Sequence, residues 1–417
     1  MRTNPEAPFT RLFAIIAVVP VALAVAAGNA RAGSGPDTLL ERARQFARRA
    51  ILVDTHIDAP YRFSFAGEDV RSRTRTGEFD FVRAREGGLD VAFMSIYTSS
   101  SLEGTGQSGP KADSLIAGVE KLAASAPEKF VVVRSVADVR REAGKGKVLL
   151  ALGMENGSPI ESRLENLRRY YDLGIRYITL AHAKSNHLAD ASYDPDRRWG
   201  GLSPFGRKVI EEMNRLGIMV DISHLTDSAA LQALRLSRAP VIASHSSCRF
   251  FTPGFERNIS DELIRAVAAD GGVVQINFSS IFLDDGFRRR EEVERKEVGE
   301  QLARSGVSPD SKEAEHYVEE YRRAHPIRFP AVARAADHID HVVKLVGVEH
   351  VGFGSDFDGA GDTFPDGLKD VSQYPNLIAE LMRRGYREAE LQMICGGNLL
   401  RVWSEVERCA AREGGVR

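Results

Sequence analysis

Cysteine is scarce in this 417-residue chain, which holds only Cys248, Cys395 and Cys409. A count this small and odd excludes a disulfide framework as the basis of the fold, even in an oxidising compartment, and leaves room for one pair, such as Cys395 with Cys409. An excess of charge of one sign is also missing, because 56 basic side chains face 58 acidic ones for a net charge of −2. That balance argues against a nucleic-acid-binding protein.

The chain also lacks the apolar excess of a polytopic membrane protein. Its 43% hydrophobic and 27% charged residues are typical of a globular protein and exclude wholesale disorder. Residues 1–32 predict an export signal, since Arg2 and Arg11 precede the apolar run 12–27 and Ala30-Arg31-Ala32 matches the small-x-small pattern before a cleavage site. A membrane anchor is the alternative, but the sixteen-residue run contains Pro20 and falls short of the roughly 20 residues that span a bilayer. We therefore expect an exported, periplasmic or secreted protein whose folded domain is 33–417.

Short β-branched apolar runs alternate with amphipathic stretches along the rest of the chain. Eight runs predict strands, at 50–54, 89–96, 148–153, 175–181, 218–223, 240–244, 272–277 and 350–355. Helical spacing of apolar residues is visible between them, for example at 112–124, 204–216, 227–236, 261–269 and 331–346. Eight repeats of strand and helix favour a single α/β domain built as a (β/α)8 TIM-like barrel over an open doubly wound sheet.

Two intervals depart from this alternation. Residues 284–325 are rich in Arg, Glu and Lys with little apolar face, and they predict a charged helical insertion. Three interpretations of that insertion are open: a solvated surface segment, a subunit contact or an active-site lid. The Gly- and Ser-rich stretch 99–109 predicts a loop above the barrel rim.

Seven histidines and carboxylates follow the predicted strands directly. They are His56, Asp58, Glu155, His182, His224, His245 and Asp356. The carboxyl ends of barrel strands face one mouth, so we expect these side chains to share a cavity. Burying them together is costly unless a cation compensates their charge and desolvation. The other six histidines lie in loops, helices or a strand start, and we expect structural or surface roles for them.

Imidazole and carboxylate ligands without thiolates suit Zn²⁺, with Mn²⁺ or Co²⁺ as alternatives. Three histidines with an aspartate and a glutamate exceed the needs of one catalytic ion, but they suit two ions if a carboxylate bridges them. Glu155 is the natural bridge because its two oxygens can each bind one ion. Two ions that share a water make hydroxide available near neutral pH, which indicates hydrolysis.

These motifs resemble the membrane (renal) dipeptidases, metallopeptidase family M19 among the amidohydrolase-type barrels, over about residues 50–405. The resemblance is carried by Val53-Asp54-Thr55-His56-Ile57-Asp58, Gly153-Met154-Glu155-Asn156-Gly157, Leu180-Ala181-His182, Asp221-Ile222-Ser223-His224, Ala243-Ser244-His245-Ser246, Arg257-Asn258-Ile259-Ser260-Asp261 and Gly354-Ser355-Asp356-Phe357-Asp358-Gly359.

The resemblance implies a role for each residue of the site. His56 and Asp58 would hold one zinc, His224 and His245 the other, and Glu155 would bridge the two. His182 would polarise the scissile carbonyl, Arg257 would pair with the substrate carboxylate, and Asp356 would move the proton from the bridging hydroxide to the departing amine.

The implied reaction is hydrolysis of the single peptide bond of a dipeptide, with β-lactams and D-residues at the second position as further expectations. The resemblance also implies a homodimer, while the lack of a hydrophobic tail at the C-terminus leads us to expect no stable lipid or membrane anchor after signal cleavage.

Other interpretations stay open at this point. Arg257 is alternatively a surface ion-pair residue, and Asp356 alternatively caps a helix or has been mistaken for Asp358. Another amidohydrolase-type enzyme, such as an N-acyl-amino-acid hydrolase, lactonase or deaminase, is the nearest rival, although many of these carry His-x-His in the first strand where this chain has His56-Ile57-Asp58. A secreted metal-binding protein without turnover is the rival from another class.

Overall fold

The computed structural model describes residues 36–308, 311–412 and 414. The predicted export signal, residues 1–32, lies outside the described residues. Nine strands occur within that part of the chain: β1 Leu52–Ile57, β2 Leu89–Tyr97, β3 Phe130–Val132, β4 Val148–Glu155, β5 Ile175–Thr179, β6 Met219–Asp221, β7 Ile242–Ala243, β8 Val273–Ile276 and β9 Val351–Phe353.

Eight of the nine strands close into a parallel barrel. The sheet runs β2-β1-β9-β8-β7-β6-β5-β4, and the ring closes through a β2–β4 register from Val91 opposite Leu149 to Tyr97 opposite Glu155. This confirms the predicted (β/α)8 barrel, and each closing strand overlaps one of the eight predicted runs. The strand that we did not predict, β3, pairs with the amino end of β4 outside the ring.

Helices surround the ring on the outside. Within the described residues they are α1 Pro36–Ala47, α2 Ala59–Ala66, α3 Phe81–Gly87, α4 Ser108–Ser125, α5 Val136–Glu142, α6 Glu165–Asp172, α7 Pro204–Leu216, α8 Asp227–Leu236, α9 Asp261–Ala269, α10 Ser280–Leu283, α11 Asp285–Ser305, α12 Lys312–Ala324, α13 Ala333–Val346, α14 Tyr374–Arg383, α15 Glu388–Gln392 and α16 Asn398–Arg412. The predicted bounds of α7, α8 and α9 are reproduced because each helix has a local start signal. Ser203, Thr226 and Ser260 each accept a hydrogen bond from a backbone N–H of the first turn, which is the standard N-cap contact.

Two apolar layers hold the barrel together. The larger layer lies between the outward faces of the strands and the surrounding helices. The smaller layer fills the inside of the ring, where Val53, Val91 and Leu149 from the amino-terminal part of their strands pack with Leu399 and Trp403 of α16. Helix α16 therefore closes the end of the barrel that lies opposite the predicted site.

The charged insertion is helical, as predicted, and consists of α11 and α12. Contrary to the expectation of little apolar face, it has a small apolar cluster of its own, in which Val298 and Leu302 pack against Ala314 and Val318. Arg322 of α12 also pairs with the buried Glu294 of α11 at 2.6 Å. The two helices thus form a compact hairpin beside the barrel.

The cysteines and the length of the helices bear on two further expectations. Cys248, Cys395 and Cys409 are present as thiols, so the Cys395–Cys409 disulfide left open by the sequence is not formed. None of the helices in the described part of the chain has the length and apolar character needed to cross a membrane.

Candidate metal centre

The seven predicted side chains meet at the carboxyl-terminal mouth of the barrel. His56 lies near the end of β1 and Glu155 is the last residue of β4, while the other members follow their strands within three residues. Three groups of them bring ligand atoms within 4.8 Å of one another: His56 with Asp58 and Glu155, Glu155 with His182 and His224, and His56 with His245 and Asp356. Residues up to 300 positions apart in sequence therefore share one cavity, as the strand-end rule predicts.

The Glu155 carboxylate lies at the centre of the cluster. Its Oε1 is 3.1 Å from His224 Nε2, 3.3 Å from His245 Nε2 and 3.6 Å from His182 Nε2. Its Oε2 faces the other way, 3.4 Å from His56 Nε2, and accepts a hydrogen bond from the Ser95 hydroxyl. The two oxygens of one carboxylate thus face two separate sets of donors.

A second set of ligand atoms surrounds His56. Its Nε2 is 3.4 Å from Asp58 Oδ2, and its ring stacks on that of His245 with the centroids 3.7 Å apart. On the other edge of the ring, Nδ1 lies 2.8 Å from the Tyr177 hydroxyl. In the tautomer whose Nδ1–H donates to the Tyr177 hydroxyl, the Nε2 lone pair of His56 is directed at the two carboxylates.

The donor set fits divalent cations. His56 Nε2 is buried without a hydrogen-bond partner among the described residues. The Nε2 atoms of His224 and His245 approach to 2.8 Å, although neutral histidines that use Nε2 as a ligand atom present lone pairs there. A cation between facing lone pairs and carboxylate oxygens removes both problems, and histidine with carboxylate ligands suits Zn²⁺. His56, Asp58, Glu155, His224 and His245 are the residues that could hold such cations.

Burial and charge set the protonation of this cluster. Burial lowers the pKa of His224 and of His245 well below the ordinary value, which keeps these imidazoles neutral as ligands must be. Burial opposes ionisation of Glu155, but the surrounding imidazoles outweigh it and hold the pKa of that carboxyl well below its usual range. The bridge candidate is therefore an anion.

Asp356 occupies a strained position beside the cluster. Its backbone lies in the left-handed region at φ 67°, as does that of His224 at φ 68°, a conformation that non-glycine residues adopt at a cost and that concentrates at functional sites. Asp356 Oδ2 accepts a hydrogen bond from Asn277 at 2.8 Å. A Cβ on Gly359 would lie 2.1 Å from Asp58 Oδ2 and 2.6 Å from Asp356 Oδ1, so only glycine lets the chain pass these carboxylates. Burial, reinforced by the charge of Asp58, raises the pKa of Asp356 to about 7.

Asp356 and Asp358 lie in different surroundings. Asp358 pairs with Arg62 at 3.1 Å and accepts a hydrogen bond from the Glu78 backbone N–H. These contacts link the segment after β9 to residues 62 and 78 and direct the Asp358 side chain toward them. Asp356 lies with His56 and His245 and caps no helix. Asp356 is the residue that faces the cavity.

Arg257 is buried rather than a surface ion-pair residue, with 3% of its area exposed. Nη2 donates to the His245 carbonyl oxygen at 2.9 Å and Nη1 to the Ser246 hydroxyl at 3.1 Å, while the group lies 5.1 Å over the Phe282 ring. Nε has no hydrogen-bond partner among the described residues. A buried guanidinium with a free donor next to His224 is suited to an anionic ligand.

Aromatic side chains form two walls of the mouth. On one side the Tyr97 ring lies 4.9 Å from that of His182. On the other side Tyr193, which is 44% exposed, lies between the rings of His224 and Phe255 at 6.2 and 6.0 Å. Arg288 of α11 covers Phe255 at 5.1 Å, so the charged insertion borders the mouth.

The loop above the rim is fastened to the mouth through Glu103. This carboxylate lies 2.7 Å from Nδ1 of His187, five residues after His182, and it also accepts a hydrogen bond from Ser158. The predicted loop 99–109 contains the 3₁₀ turn Ser100–Leu102 and ends in the first residues of α4.

The family described as membrane dipeptidase (peptidase family M19) matches residues 40–415 of this sequence. The chain belongs to the membrane dipeptidase family M19. It is 33% identical over 395 residues to an uncharacterized dipeptidase of Schizosaccharomyces pombe, which covers 89% of this chain and 84% of the relative. M19 members are metallopeptidases that act on dipeptides, so the chain is a dipeptidase-family enzyme with a candidate metal centre.

Solved structures agree with this assignment. The probable dipeptidase PvdM from Pseudomonas aeruginosa superposes with a TM-score of 0.78 and 27% identity, covering 90% of this chain and 100% of that one. A metallo peptidase from Rhodobacter sphaeroides, solved with a phosphinate mimic of the dipeptide L-Ala-D-Ala, superposes with a TM-score of 0.70 and 25% identity, covering 86% of this chain and 99% of that one.

Sequence reasoning missed several residues that support the M19 site. Asn277 ends a predicted strand at the same mouth, so the rule that found the other residues could have found it. Tyr177 lies inside the barrel, where only strand alternation marks it, and its ring fills the space above Gly153, whose Cβ would lie 2.0 Å from that ring. Asp221 and Ser244 precede His224 and His245 in motifs that we read only for their histidines.

Proposed function

We propose that this M19 enzyme is a zinc-dependent dipeptidase, holding two Zn²⁺ per subunit bridged by Glu155, that hydrolyses the single peptide bond of dipeptides with a free carboxylate. The observation that carries the proposal is the arrangement around Glu155, whose Oε1 faces His224 and His245 while its Oε2 faces His56. When bound, two such ions lower the pKa of a shared water and polarise a carbonyl oxygen.

Arg257 would fix the position of the substrate. Its free Nε and its charge would pair with the terminal carboxylate, and its hydrogen bonds to His245 and Ser246 hold the guanidinium in place before substrate arrives. Arg257 Nη2 lies 3.0 Å from His224 Nε2, so a carboxylate bound at Arg257 would lie close to the candidate metal ligands and leave little room for a longer C-terminal extension. The arrangement therefore favours dipeptides over longer peptides.

His182 and Asp356 would act on the peptide bond from different sides. His182 Nε2 faces the cavity with 20% of its side chain exposed, and an N–H there would hold the carbonyl oxygen as it gains negative charge. Asp356 is held by Asn277 at Oδ2, which leaves Oδ1 to accept a proton from the attacking water and return it to the departing amine.

D-residues at the C-terminal position are part of the proposal, supported by the phosphinate mimic of L-Ala-D-Ala bound in the relative from Rhodobacter sphaeroides. The export signal predicted at residues 1–32 supports action outside the cytoplasm, in the periplasm or the medium. Fractionation of expressing cells, followed by sequencing of the mature amino terminus, tests that location.

The activity test uses purified protein that is stripped with a chelator and reloaded with Zn²⁺. L-Ala-L-Ala and L-Ala-D-Ala are the substrates, with tri-alanine, N-acetylalanine and a lactone as comparisons. We expect dipeptide cleavage that is lost with the chelator and restored by Zn²⁺. Cleavage of N-acetylalanine or the lactone alone would favour another amidohydrolase-type enzyme, and zinc binding without any hydrolysis would favour a metal-binding protein.

A further inference from the structure

The Asp221 carboxylate lies beneath the site and is fully buried. Its Oδ1 accepts hydrogen bonds from the backbone N–H groups of Ser223 at 3.0 Å and Ser244 at 2.8 Å. Its Oδ2 accepts from the hydroxyls of Thr179 and Ser244. One carboxylate thus joins the ends of β5, β6 and β7, and the last two carry His224 and His245.

The Ser244 hydroxyl links this carboxylate to a candidate metal ligand. Its Oγ is 2.6 Å from Asp221 Oδ2 and 2.7 Å from His245 Nδ1. An ionised carboxylate only accepts hydrogen bonds, so the single Ser244 proton is directed to Asp221. Ser244 Oγ must then accept from His245, which places the ring proton on Nδ1 and the lone pair on Nε2.

We propose that Asp221 and Ser244 are positioning residues that fix the Nδ1–H tautomer of His245 and thereby prepare its Nε2 to ligate a cation. The inference rests on the metal centre of the proposed function. It follows the general rule that the free ring nitrogen of a ligating histidine is held by an outer hydrogen-bond partner, here through a serine.

We call the hydrogen-bonded path from Asp221 through Ser244 to His245 the relay. Asp221→Asn tests the relay with little change in the shape of the side chain. The two backbone N–H groups can only donate, so the asparagine oxygen faces them and its NH₂ faces the hydroxyls of Thr179 and Ser244. Ser244 then accepts from the amide and is free to donate to His245 Nδ1, which favours the tautomer that carries a proton on Nε2. Ser244→Ala breaks the same path by a second route and serves if Asp221→Asn does not fold.

Thr179→Val is the matched control. It removes a buried hydroxyl from the same Asp221 oxygen, but Thr179 leads to no histidine ring. If the variants merely weakened the packing around the Asp221 carboxylate, cation binding would fall in all three. If the relay is what matters, cation binding falls in Asp221→Asn and Ser244→Ala but not in Thr179→Val.

The measurement is Co²⁺ binding to metal-free protein, followed by the visible absorption of the bound ion. We expect Asp221→Asn and Ser244→Ala to weaken one binding step by about 10- to 100-fold and Thr179→Val to leave both steps unchanged. In parallel, ¹⁵N-histidine labelling of metal-free protein should report Nδ1–H at His245 in the wild type and Nε2–H in Asp221→Asn.

Equal weakening in all three variants, or an Nε2–H tautomer in the wild type, would overturn the inference. Because the readout is cation binding and not hydrolysis, the two proposals fail separately. Weakened Co²⁺ binding in the two relay variants of a protein that cleaves no dipeptide would support the relay and contradict the dipeptidase activity.

Discussion

Replacing Arg257 with lysine isolates the contribution of its guanidinium to substrate binding. Lysine keeps the charge, but its donors share one nitrogen, so it cannot reproduce the spaced contacts of the guanidinium with the His245 carbonyl oxygen, the Ser246 hydroxyl and a substrate carboxylate. At least one charge-assisted hydrogen bond to the substrate is then lost, and such a bond contributes about 1.5–3 kcal/mol. A free-energy difference of about 1.4 kcal/mol corresponds to a tenfold change in a rate or equilibrium constant. The kcat/KM of Arg257→Lys for a dipeptide should therefore fall about 10- to 150-fold.

The assay compares L-Ala-L-Ala with its C-terminal amide, which lacks the carboxylate. The wild-type enzyme should prefer the free acid strongly, and Arg257→Lys should lose most of that preference while its metal content stays unchanged. Arg249→Lys is the matched control, because Nη1 and Nη2 of Arg249 already pair with Asp227 at 2.6 Å. If Arg257→Lys slows the acid and the amide equally, Arg257 does not bind the carboxylate and the assignment is wrong.

Three further changes test other parts of the site and fold. Glu155→Gln should lower metal content and activity together, since one carboxylate faces both donor sets; full metal content in that variant would exclude a bridge. Asp356→Asn should lower kcat about 100- to 10,000-fold with metal content unchanged, as loss of a proton-transfer group does, whereas metal loss would show that Asp356 is a ligand. His338 accepts the Cys248 N–H at Nδ1, and burial lowers its pKa to about 3. As pH falls from about 6.5 toward 3, the unfolded chain binds a proton at that histidine while the folded protein does not. The free energy of unfolding therefore falls by up to about 5 kcal/mol over that pH range. His338→Asn should flatten the pH dependence of the urea midpoint between pH 7 and 4, and an unchanged slope would refute this account.

The strand ends show why the site could be predicted from the sequence. Each strand of a parallel barrel places its last polar residues at one mouth, so seven separate motifs became one site without any knowledge of side-chain packing. The same rule fails inside the barrel. Tyr177 reaches His56 from mid-strand, and nothing in the order of residues distinguishes it from an ordinary core tyrosine.

The bounds of β6 and β7 show a second limit. The predicted runs 218–223 and 240–244 shrink to Met219–Asp221 and Ile242–Ala243. The backbone N–H groups of Ser223 and Ser244 bond to the Asp221 side chain instead of a neighbouring strand, so the ladder ends there. Strand β3 was not predicted for a different reason. Its three residues are too few to show the alternation of apolar and polar side chains that marks a strand.

Helix α16 has a consequence for the way molecules reach the histidines. Its Trp403 lies edge-on against Phe93, and Phe93 lies against Tyr177 beneath His56, so packed aromatic rings fill the barrel axis. Ions, peptides and released amino acids would consequently enter and leave through the mouth at the other end of the barrel. An occupied entrance delays the departure of whatever lies deeper, and a tightly bound peptide analogue should therefore protect the enzyme from inactivation by chelators.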